Sequence, residues 1–305
     1  MGGVINVVYS FHMPAFILIS GYLSKRVETH RKKELDTLLW PFIIFQILYF
    51  AFCKISGVYG PSINPFTPIY LNWYIIALFV WRLVLPYFKF FDKWIVVIGL
   101  IGLSVIAGAF INNSFLSMYR FFYYFPLFAI GYYIDDLEIM IQRMSGVKWL
   151  FVVGFVMGVL VIFYLSYSYP TIRTTINYAL TPDQNYGGEL KNILVRLCGF
   201  CITTFMTFGF IVTCYITKPL SKPLFLVSDT GRNSISVYYI HGFIALYVST
   251  IIDELSLLYQ LTIATALTFG ICWLLSRDRT VRLLRPLFDF NNAPKFLRNI
   301  ICGTV

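Results

Sequence analysis

Uncharged stretches of about 20 residues recur along this chain and constrain its fold more than any other feature. A stretch of this length spans the hydrocarbon core of a bilayer as one α-helix, because each helical residue rises about 1.5 Å. The spacing of the stretches predicts nine spans, and the fold class is therefore all-α, a polytopic bundle of membrane helices. The spans are expected at approximately 4–23, 38–56, 72–88, 94–111, 115–134, 148–168, 192–216, 234–252 and 255–275.

The composition supports this class. Hydrophobic residues make up 58% of the 305 positions, charged residues only 12%, and the mean hydropathy is +0.74. Soluble domains carry about 25% charged residues, so a soluble domain is excluded. The net charge of +10 would suit a nucleic-acid partner only if the basic side chains shared one face. Here they are scattered between the apolar runs, so we expect membrane lipid as a partner and no nucleic acid.

The positions of Lys and Arg predict the orientation in the membrane, since cytoplasmic loops carry an excess of both. Placing the loop after the first run in the cytoplasm puts 18 of the 24 basic residues there and only three outside. The N-terminus is then outside and the C-terminus cytoplasmic. We expect a multi-pass protein of the cell membrane, such as a bacterial plasma membrane. Residues 1–275 would form the transmembrane domain and residues 276–305 a basic cytoplasmic tail.

Several polar features are expected at the outer side. Arg120 interrupts the run 115–134, and Arg196 lies about one turn inside another run. We expect both guanidinium groups to extend to the outer surface, because long basic side chains can bury their stems and keep the charge in water. The connection 169–191 is rich in Thr and Asn and has two prolines, which predicts a loop that could contact substrate.

The six cysteines lie mostly within apolar runs and do not form a disulfide framework. Cys198 and Cys201 have C-x-x-C spacing, but no second ligand pair accompanies them. A zinc site requires more ligands than this pair supplies. We therefore expect packing roles for these thiols and no metal cofactor.

Three ionisable side chains are expected deep inside apolar runs: His12, Arg82 and His241. An ionisable group at this depth is costly in hydrocarbon and should face a protein interior or a wet cavity. Counting from the ends of the runs places His12 roughly 16 Å deep, His241 roughly 10 Å deep and Arg82 near the midplane. The three could therefore occupy one slab of the membrane. The alternative for His12 is a hydrogen bond to a neighbouring helix without a chemical role.

Two imidazoles and a guanidinium suit acyl transfer from a cytoplasmic thioester to a hydroxyl outside. His12 or His241, in the neutral form, could take the hydroxyl proton during attack on the thioester carbonyl. Arg82 could stabilise the oxyanion that develops, with more effect in a dry site than in water.

Basic residues at the predicted cytoplasmic mouth form a second candidate group. Lys25 and Arg26 follow the first run, and Arg232 precedes the eighth. Their side chains could hold the phosphates of an acyl donor. The alternative is that they only set the topology.

Four stretches carry recognisable motifs. Residues 8–23 contain Phe-His-Met-Pro followed by Ile-Ser-Gly-Tyr-Leu, and residues 72–86 contain Asn-Trp-Tyr, Ala-Leu-Phe and Trp-Arg. Residues 120–133 contain Tyr-Phe-Pro and Gly-Tyr-Tyr, and residues 231–241 read Gly-Arg-Asn-Ser-Ile-Ser-Val-Tyr-Tyr-Ile-His. Together these stretches resemble acyltransferase family 3, integral-membrane proteins, and in particular its fucose 4-O-acetylase-like branch.

The resemblance implies a helical bundle of about ten crossings, acetyl-CoA as the donor, and an extracytoplasmic glycan as the acceptor. The acceptor would be a sugar hydroxyl of a cell-surface or capsular polysaccharide or of its lipid-linked precursor. The family usually begins with one more helix, whose Gly-His pair supplies the usual catalytic histidine. We expect that helix to be missing from this chain, which leaves His12 and His241 as candidate bases. The motif positions expected to contact substrate are Trp73, Tyr74, Arg120, Asn233, Ser234 and Tyr238.

The leading hypothesis is thus a membrane O-acetyltransferase. One alternative is a transporter or exporter of a polar or anionic solute, because an arginine and two histidines at mid-depth also suit a permeation path. The other is an inactive, truncated homologue. Acetyl transfer by the purified protein would distinguish the first from both others.

Overall fold

The computed structural model describes residues 2–25, 35–57, 67–110, 115–144, 146–180, 189–221, 230–231, 233–252 and 255–288. Within these ranges all regular structure is helical, which confirms the predicted class. The α-helices are α1 (Gly2–Ser24), α2 (Trp40–Ser56), α3 (Asn72–Val84), α4 (Lys93–Phe110), α5 (Met118–Tyr133), α6 (Leu137–Arg143), α7 (Val147–Ser168), α8 (Pro170–Leu180), α9 (Leu190–Ser221), α10 (Ser234–Ile252), α11 (Leu257–Leu275) and α12 (Asp278–Phe288).

Seven segments of the described chain are long and apolar enough to cross a membrane, so the protein is a polytopic helical membrane bundle. The other two predicted spans also form helices, but their apolar stretches are shorter. Helix α5 has 16 residues, and the apolar stretch of α10 covers Ser234–Val248. The seven segments are Gly3–Ser24, Thr37–Ser56, Asn72–Phe90, Lys93–Phe110, Val147–Ser168, Leu190–Lys218 and Leu258–Leu275.

The chain divides into two compact units, each built from separate parts of the sequence. The first unit comprises Met1–Thr29 and Trp81–Leu220, and the second comprises His30–Val80 and Ser221–Val305. Helices α1 and α4 to α9 belong to the first unit, and α2 and α10 to α12 to the second. The boundary between Val80 and Trp81 falls inside α3.

In the first unit, α1 and α5 cross at close range. Gly21 of α1 lies against the carbonyl oxygen of Phe128, and Gly131 of α5 lies against the carbonyl oxygen of Leu18. A Cβ atom at either glycine would collide with that backbone. Small residues let membrane helices approach closely and gain van der Waals contact. This contact drives helix association in a bilayer, because lipid tails are as apolar as the side chains and the hydrophobic effect gives no driving force there. Helix α1 also packs on α7 and α8, and α4 packs on α5.

In the second unit, aromatic rings join α2, α10 and α12. The ring of Phe45 stacks on Tyr239, with 3.8 Å between centroids, and on Phe288 at 5.5 Å. The indole Nε1 of Trp40 donates to the carbonyl oxygen of Pro286 at 3.2 Å. Helix α12, the first part of the predicted tail, is therefore packed against α2. Residues 289–305 lie outside the described residues, and the proposed division at residue 275 stays a prediction.

The segment 169–191 was wrongly predicted to be a loop over its first half. Residues Pro170–Leu180 form α8, which has Ala179 and Leu180 buried and most of its other residues exposed. Proline is favoured in the first turn of a helix because its missing N–H would have no intrahelical partner there. Pro170 therefore begins the helix, although the composition of the segment predicted a loop there.

Candidate active site

The side chain of His241 is half-buried on α10. Its Nδ1 atom lies 2.7 Å from the carbonyl oxygen of Val237, one turn earlier in the same helix. A carbonyl oxygen can only accept, so the hydrogen must be on Nδ1. In the neutral imidazole this leaves the lone pair on Nε2. The backbone of α10 thus fixes the tautomer in which His241 can act as a base through Nε2.

Three other predicted site residues lie around His241 in the second unit. The ring of Tyr238 is edge-on to the imidazole, with 6.3 Å between centroids. Tyr74 lies 5.6 Å from Tyr238, and Trp73 lies 6.2 Å from Tyr74, both also edge-on. Edge-to-face pairs at these separations are favourable arrangements of aromatic rings. The structure therefore brings Trp73, Tyr74, Tyr238 and His241 into one chain of contacts.

The sequence explains how these side chains meet. Tyr238 and His241 are three residues apart, so they share one face of α10. The hydroxyl of Tyr238 donates to the carbonyl oxygen of Leu71 at 2.6 Å, immediately before α3 begins. This bond holds the first turn of α3, which carries Trp73 and Tyr74, beside α10.

Two amide side chains that sequence reasoning missed, the buried Asn72 and the half-buried Gln46, also hold the start of α3. The Nδ2 atom of Asn72 donates to Oε1 of Gln46 at 3.0 Å and approaches the carbonyl oxygen of Phe42 at 3.3 Å. Gln46 Oε1 accepts from the backbone N–H of Ile69 at 3.2 Å, and its Nε2 donates to the carbonyl oxygen of Thr67 at 2.8 Å. A glutamine near the middle of the apolar run 38–56 was the signal that could have identified this network.

Tyr49 supports the helix on the other side of His241. Its hydroxyl donates to the carbonyl oxygen of Tyr239 at 2.7 Å and lies against Gly242. A Cβ at position 242 would collide with that hydroxyl, so glycine is required for this contact. The tyrosine therefore positions the turn of α10 that carries His241.

The remaining motif residues of α10 lie at its first turn. The Nδ2 atom of Asn233 donates to the carbonyl oxygen of Ser276 at 3.0 Å, which ties the start of α10 to the end of α11. Ser234 is exposed. Arg232, a predicted donor ligand, lies outside the described residues. A substrate contact by Asn233 or Ser234 stays a prediction.

His12 lies in the middle of α1 in the first unit. Its side chain is exposed, whereas its neighbours Met13 and Pro14 are buried. Pro14 is accommodated inside the continuous helix Gly2–Ser24. The role of His12 as a base stays a prediction.

Arg82 was expected at the same depth as His12, and the structure corrects this. Its Nε donates to the hydroxyl of Ser24 at 2.9 Å, and its side chain is half-buried. Ser24 lies twelve residues beyond His12 along α1, which corresponds to about 18 Å of helix. The head group of an arginine held at Ser24 cannot also touch His12. Arg82 therefore lies at the end of α1 that the predicted topology places at the cytoplasm.

Lys25 lies next to that position. Its Nζ donates to the carbonyl oxygen of Asp135 at 3.2 Å and lies 4.8 Å from the centroid of the Tyr22 ring. Burial lowers the pKa of Lys25 from the ordinary lysine value, against the opposing effect of the Asp135 and Asp136 carboxylates. Two cations therefore lie at one end of α1: Lys25, which follows its last residue, and Arg82, which is bound to Ser24. Arg26 lies outside the described residues.

The other predicted contacts of the first unit are less defined. Arg120 is half-buried in the first turn of α5, and its role stays a prediction. His12, Arg82 and Arg120 belong to the first unit, and His241 to the second. Joint action of His12, Arg82 and His241 stays a prediction. Over the described ranges no group of three His, Cys, Asp or Glu side chains could hold a metal ion.

Comparison with known proteins assigns the family. The family model described as an acyltransferase domain matches residues 2–277, nearly the whole chain. No curated protein and no solved structure matches the chain. The matched region includes the helix that carries His12, the chain of contacts around His241 and the pair of cations at the end of α1. The chain belongs to acyltransferase family 3 and is a membrane acyltransferase.

Proposed function

We propose that this acyltransferase is an O-acetyltransferase that transfers acetyl from cytoplasmic acetyl-CoA to a sugar hydroxyl outside. The acceptor would belong to a cell-surface or capsular polysaccharide or to its lipid-linked precursor, at the plasma membrane of a bacterial cell. The hydrogen bond from His241 Nδ1 to Val237 carries the proposal, because it leaves Nε2 as the proton-accepting atom.

The reaction would proceed by general-base catalysis. Nε2 of His241 takes the proton of the sugar hydroxyl while the hydroxyl oxygen attacks the thioester carbonyl, which forms the C–O bond. Collapse of the tetrahedral intermediate breaks the C–S bond, and the imidazolium returns the proton to the departing thiolate. The aromatic side chains Trp73, Tyr74 and Tyr238 suit a sugar ring, since such rings present an apolar face and polar edges.

The end of α1 suits the donor. Arg82 and Lys25 supply two cations there, and charged hydrogen bonds from such groups to phosphate oxygens are strong. We therefore assign Arg82 to the phosphates of acetyl-CoA, in place of the oxyanion role expected from its depth in the sequence.

The decisive experiment incubates the purified protein in lipid nanodiscs with radiolabelled acetyl-CoA and a membrane glycan fraction. Wild type should transfer label to glycan. His241→Ala should lower the transfer rate by about 10²–10⁴-fold, the usual contribution of a general base. His30→Ala is the matched control and should keep full activity, because His30 lies in the charged loop away from the predicted spans.

The same assay decides between the two candidate bases. His12→Ala with full activity would remove His12 from the reaction, and His241→Ala with full activity would contradict the proposal. Solute uptake into proteoliposomes without acetyl transfer by wild type would favour the transporter alternative.

A further inference from the structure

Three exposed arginines share one side of α12 in the second unit. Arg279, Arg282 and Arg285 are spaced by three residues, so their side chains follow one another along the same side of the helix. From the first to the third the helix rises about 9 Å. We call these three residues the basic face of α12.

The opposite side of α12 packs on the protein. The ring of Phe288 stacks on Tyr239, with 5.8 Å between centroids, in addition to its contact with Phe45. Val281 and Leu284 precede Phe288 by seven and four residues, which places them on the same side, and both are half-buried. These contacts fix the rotation of the helix about its axis, so the basic face is directed away from α2 and α10.

The basic face lies close to the end of a membrane span. Helix α11 contains the apolar segment Leu258–Leu275, and α12 begins at Asp278, so the chain between them reaches at most about 11 Å. The bond from Asn233 to the carbonyl oxygen of Ser276 ties this connection to the start of α10. The predicted topology places these helix ends at the cytoplasm. We therefore expect α12 at the level of the lipid head groups on that side.

Exposed apolar side chains accompany the arginines. Leu283 is 79% exposed beside Arg282, and Trp273 in the last turn of α11 is 54% exposed. The guanidinium of Arg277 covers the indole of Trp273, with 4.5 Å between Cζ and the ring centroid. Tryptophan is enriched where a membrane meets water, because its ring is apolar and its N–H is polar. A surface of this mixed kind suits a bilayer better than a soluble anion, which offers nothing to Leu283.

We propose that the basic face of α12 binds the phosphates of anionic phospholipids in the cytoplasmic leaflet. Guanidinium groups match phosphate because they present planar pairs of N–H donors. Basic side chains directly after a membrane span attract anionic lipids, and each raises the affinity about fivefold. The lipid is thus a ligand of the second unit, and its binding does not depend on whether the protein transfers acetyl.

The simpler role of these arginines is to set the topology, for which their charge during insertion is sufficient. Arg282 also has a contact within its own helix, since its Nε donates to the carbonyl oxygen of Asp278 at 3.3 Å. Neither role lets the folded protein distinguish an anionic lipid from a neutral one. The lipid preference of the folded protein therefore separates these roles from the proposal.

The test titrates the full-length protein in a neutral detergent with phosphatidylglycerol, and separately with phosphatidylcholine of the same acyl chains. Native mass spectrometry measures the dissociation constant of the first bound lipid. Phosphatidylcholine carries the same phosphate but no net charge. Wild type should bind phosphatidylglycerol about 10²-fold more tightly, which is the product of three fivefold contributions. Acetyl-CoA is titrated in the same way as a soluble phosphate compound.

Two triple variants connect the preference to α12. Replacement of the basic face, Arg279→Gln/Arg282→Gln/Arg285→Gln, should make the two lipids bind equally. The control removes three exposed cations of the first unit on the same predicted side, and it should keep the preference of wild type. This control is Lys89→Gln/Lys93→Gln/Arg143→Gln, which changes the net charge by the same amount. If the α12 variant does not fold, the single change Arg282→Gln decides, with an expected loss of about fivefold.

Loss of the phosphatidylglycerol preference in the α12 variant alone would support the lipid site. Equal affinity of wild type for the two lipids, an undiminished preference in the α12 variant, or equal losses in both triple variants would overturn the proposal. A loss of acetyl-CoA affinity in the α12 variant at unchanged phosphatidylglycerol affinity would also overturn it, because the arginines would then bind the donor.

Discussion

Gly21 and Gly131 face each other across the crossing of α1 and α5, and each lies against a backbone carbonyl of the opposite helix. Both glycines belong to sequence motifs that resemble the family, where they could have been taken for substrate-contacting positions. The structure gives them a packing role instead. The close crossing of α1 and α5 therefore depends on the absence of two Cβ atoms.

Gly131→Ala should therefore destabilise the protein. The new methyl group would press on the carbonyl of Leu18, and overpacking of this kind costs about 1–3 kcal/mol. Melting of purified protein in detergent measures the loss. Gly102→Ala is the matched control, since a Cβ at position 102 meets nothing within 4 Å. Equal melting temperatures for the two variants would contradict the close crossing.

Gln46→Leu should destabilise the second unit. It removes one acceptor of Asn72 and the acceptor of the buried Ile69 backbone N–H, and a buried donor left unsatisfied costs about 1–3 kcal/mol. Gln142→Leu removes only a hydrogen bond between exposed side chains and should change the melting temperature little. If Gln46→Leu melts like wild type, the amide pair does not hold the start of α3.

Arg82→Met should raise the KM for acetyl-CoA more than it lowers kcat, because the proposed contact is to donor phosphates in the ground state. Steady-state kinetics at varied acetyl-CoA separates the two constants. Arg143→Met replaces an exposed arginine of α6 and should leave both near wild type. A fall in kcat at unchanged KM would instead indicate that Arg82 stabilises the oxyanion.

Tyr238→Phe should lower kcat/KM for the glycan about fivefold while the protein stays folded. It keeps the ring beside His241 but removes the hydroxyl that binds Leu71, a loss of about 1 kcal/mol. Tyr259→Phe on the exposed face of α11 serves as control. Unchanged kcat/KM for Tyr238→Phe would mean that this bond does not position Trp73 and Tyr74.

The sequence predicted the helices well because a span must be long and apolar to satisfy its backbone in lipid. The family resemblance pointed to Trp73, Tyr74 and Tyr238, and the depth of His241 in its apolar run pointed to that histidine, but neither predicted the contacts that join the four in the structure. Their roles in the reaction stay predictions. Arg82 was misplaced, since counting residues gives the height of a Cα atom but not the direction of a long side chain. Arg196 was expected to reach the outer surface but is only 4% exposed, because α8, which covers it, was itself predicted as a loop.

The interleaved units impose an order on biogenesis. Translation completes the first unit at Leu220, whereas the second unit still lacks residues 221–305 at that moment. At translation rates of about 5–20 residues per second, this delay is roughly 4–17 s. Until α10 is complete at Ile252, Phe45 and Tyr49 of the finished helix α2 lack the helix on which both will pack. Nascent chains halted before Ile252 should therefore expose these two side chains of α2, which the complete protein covers with α10.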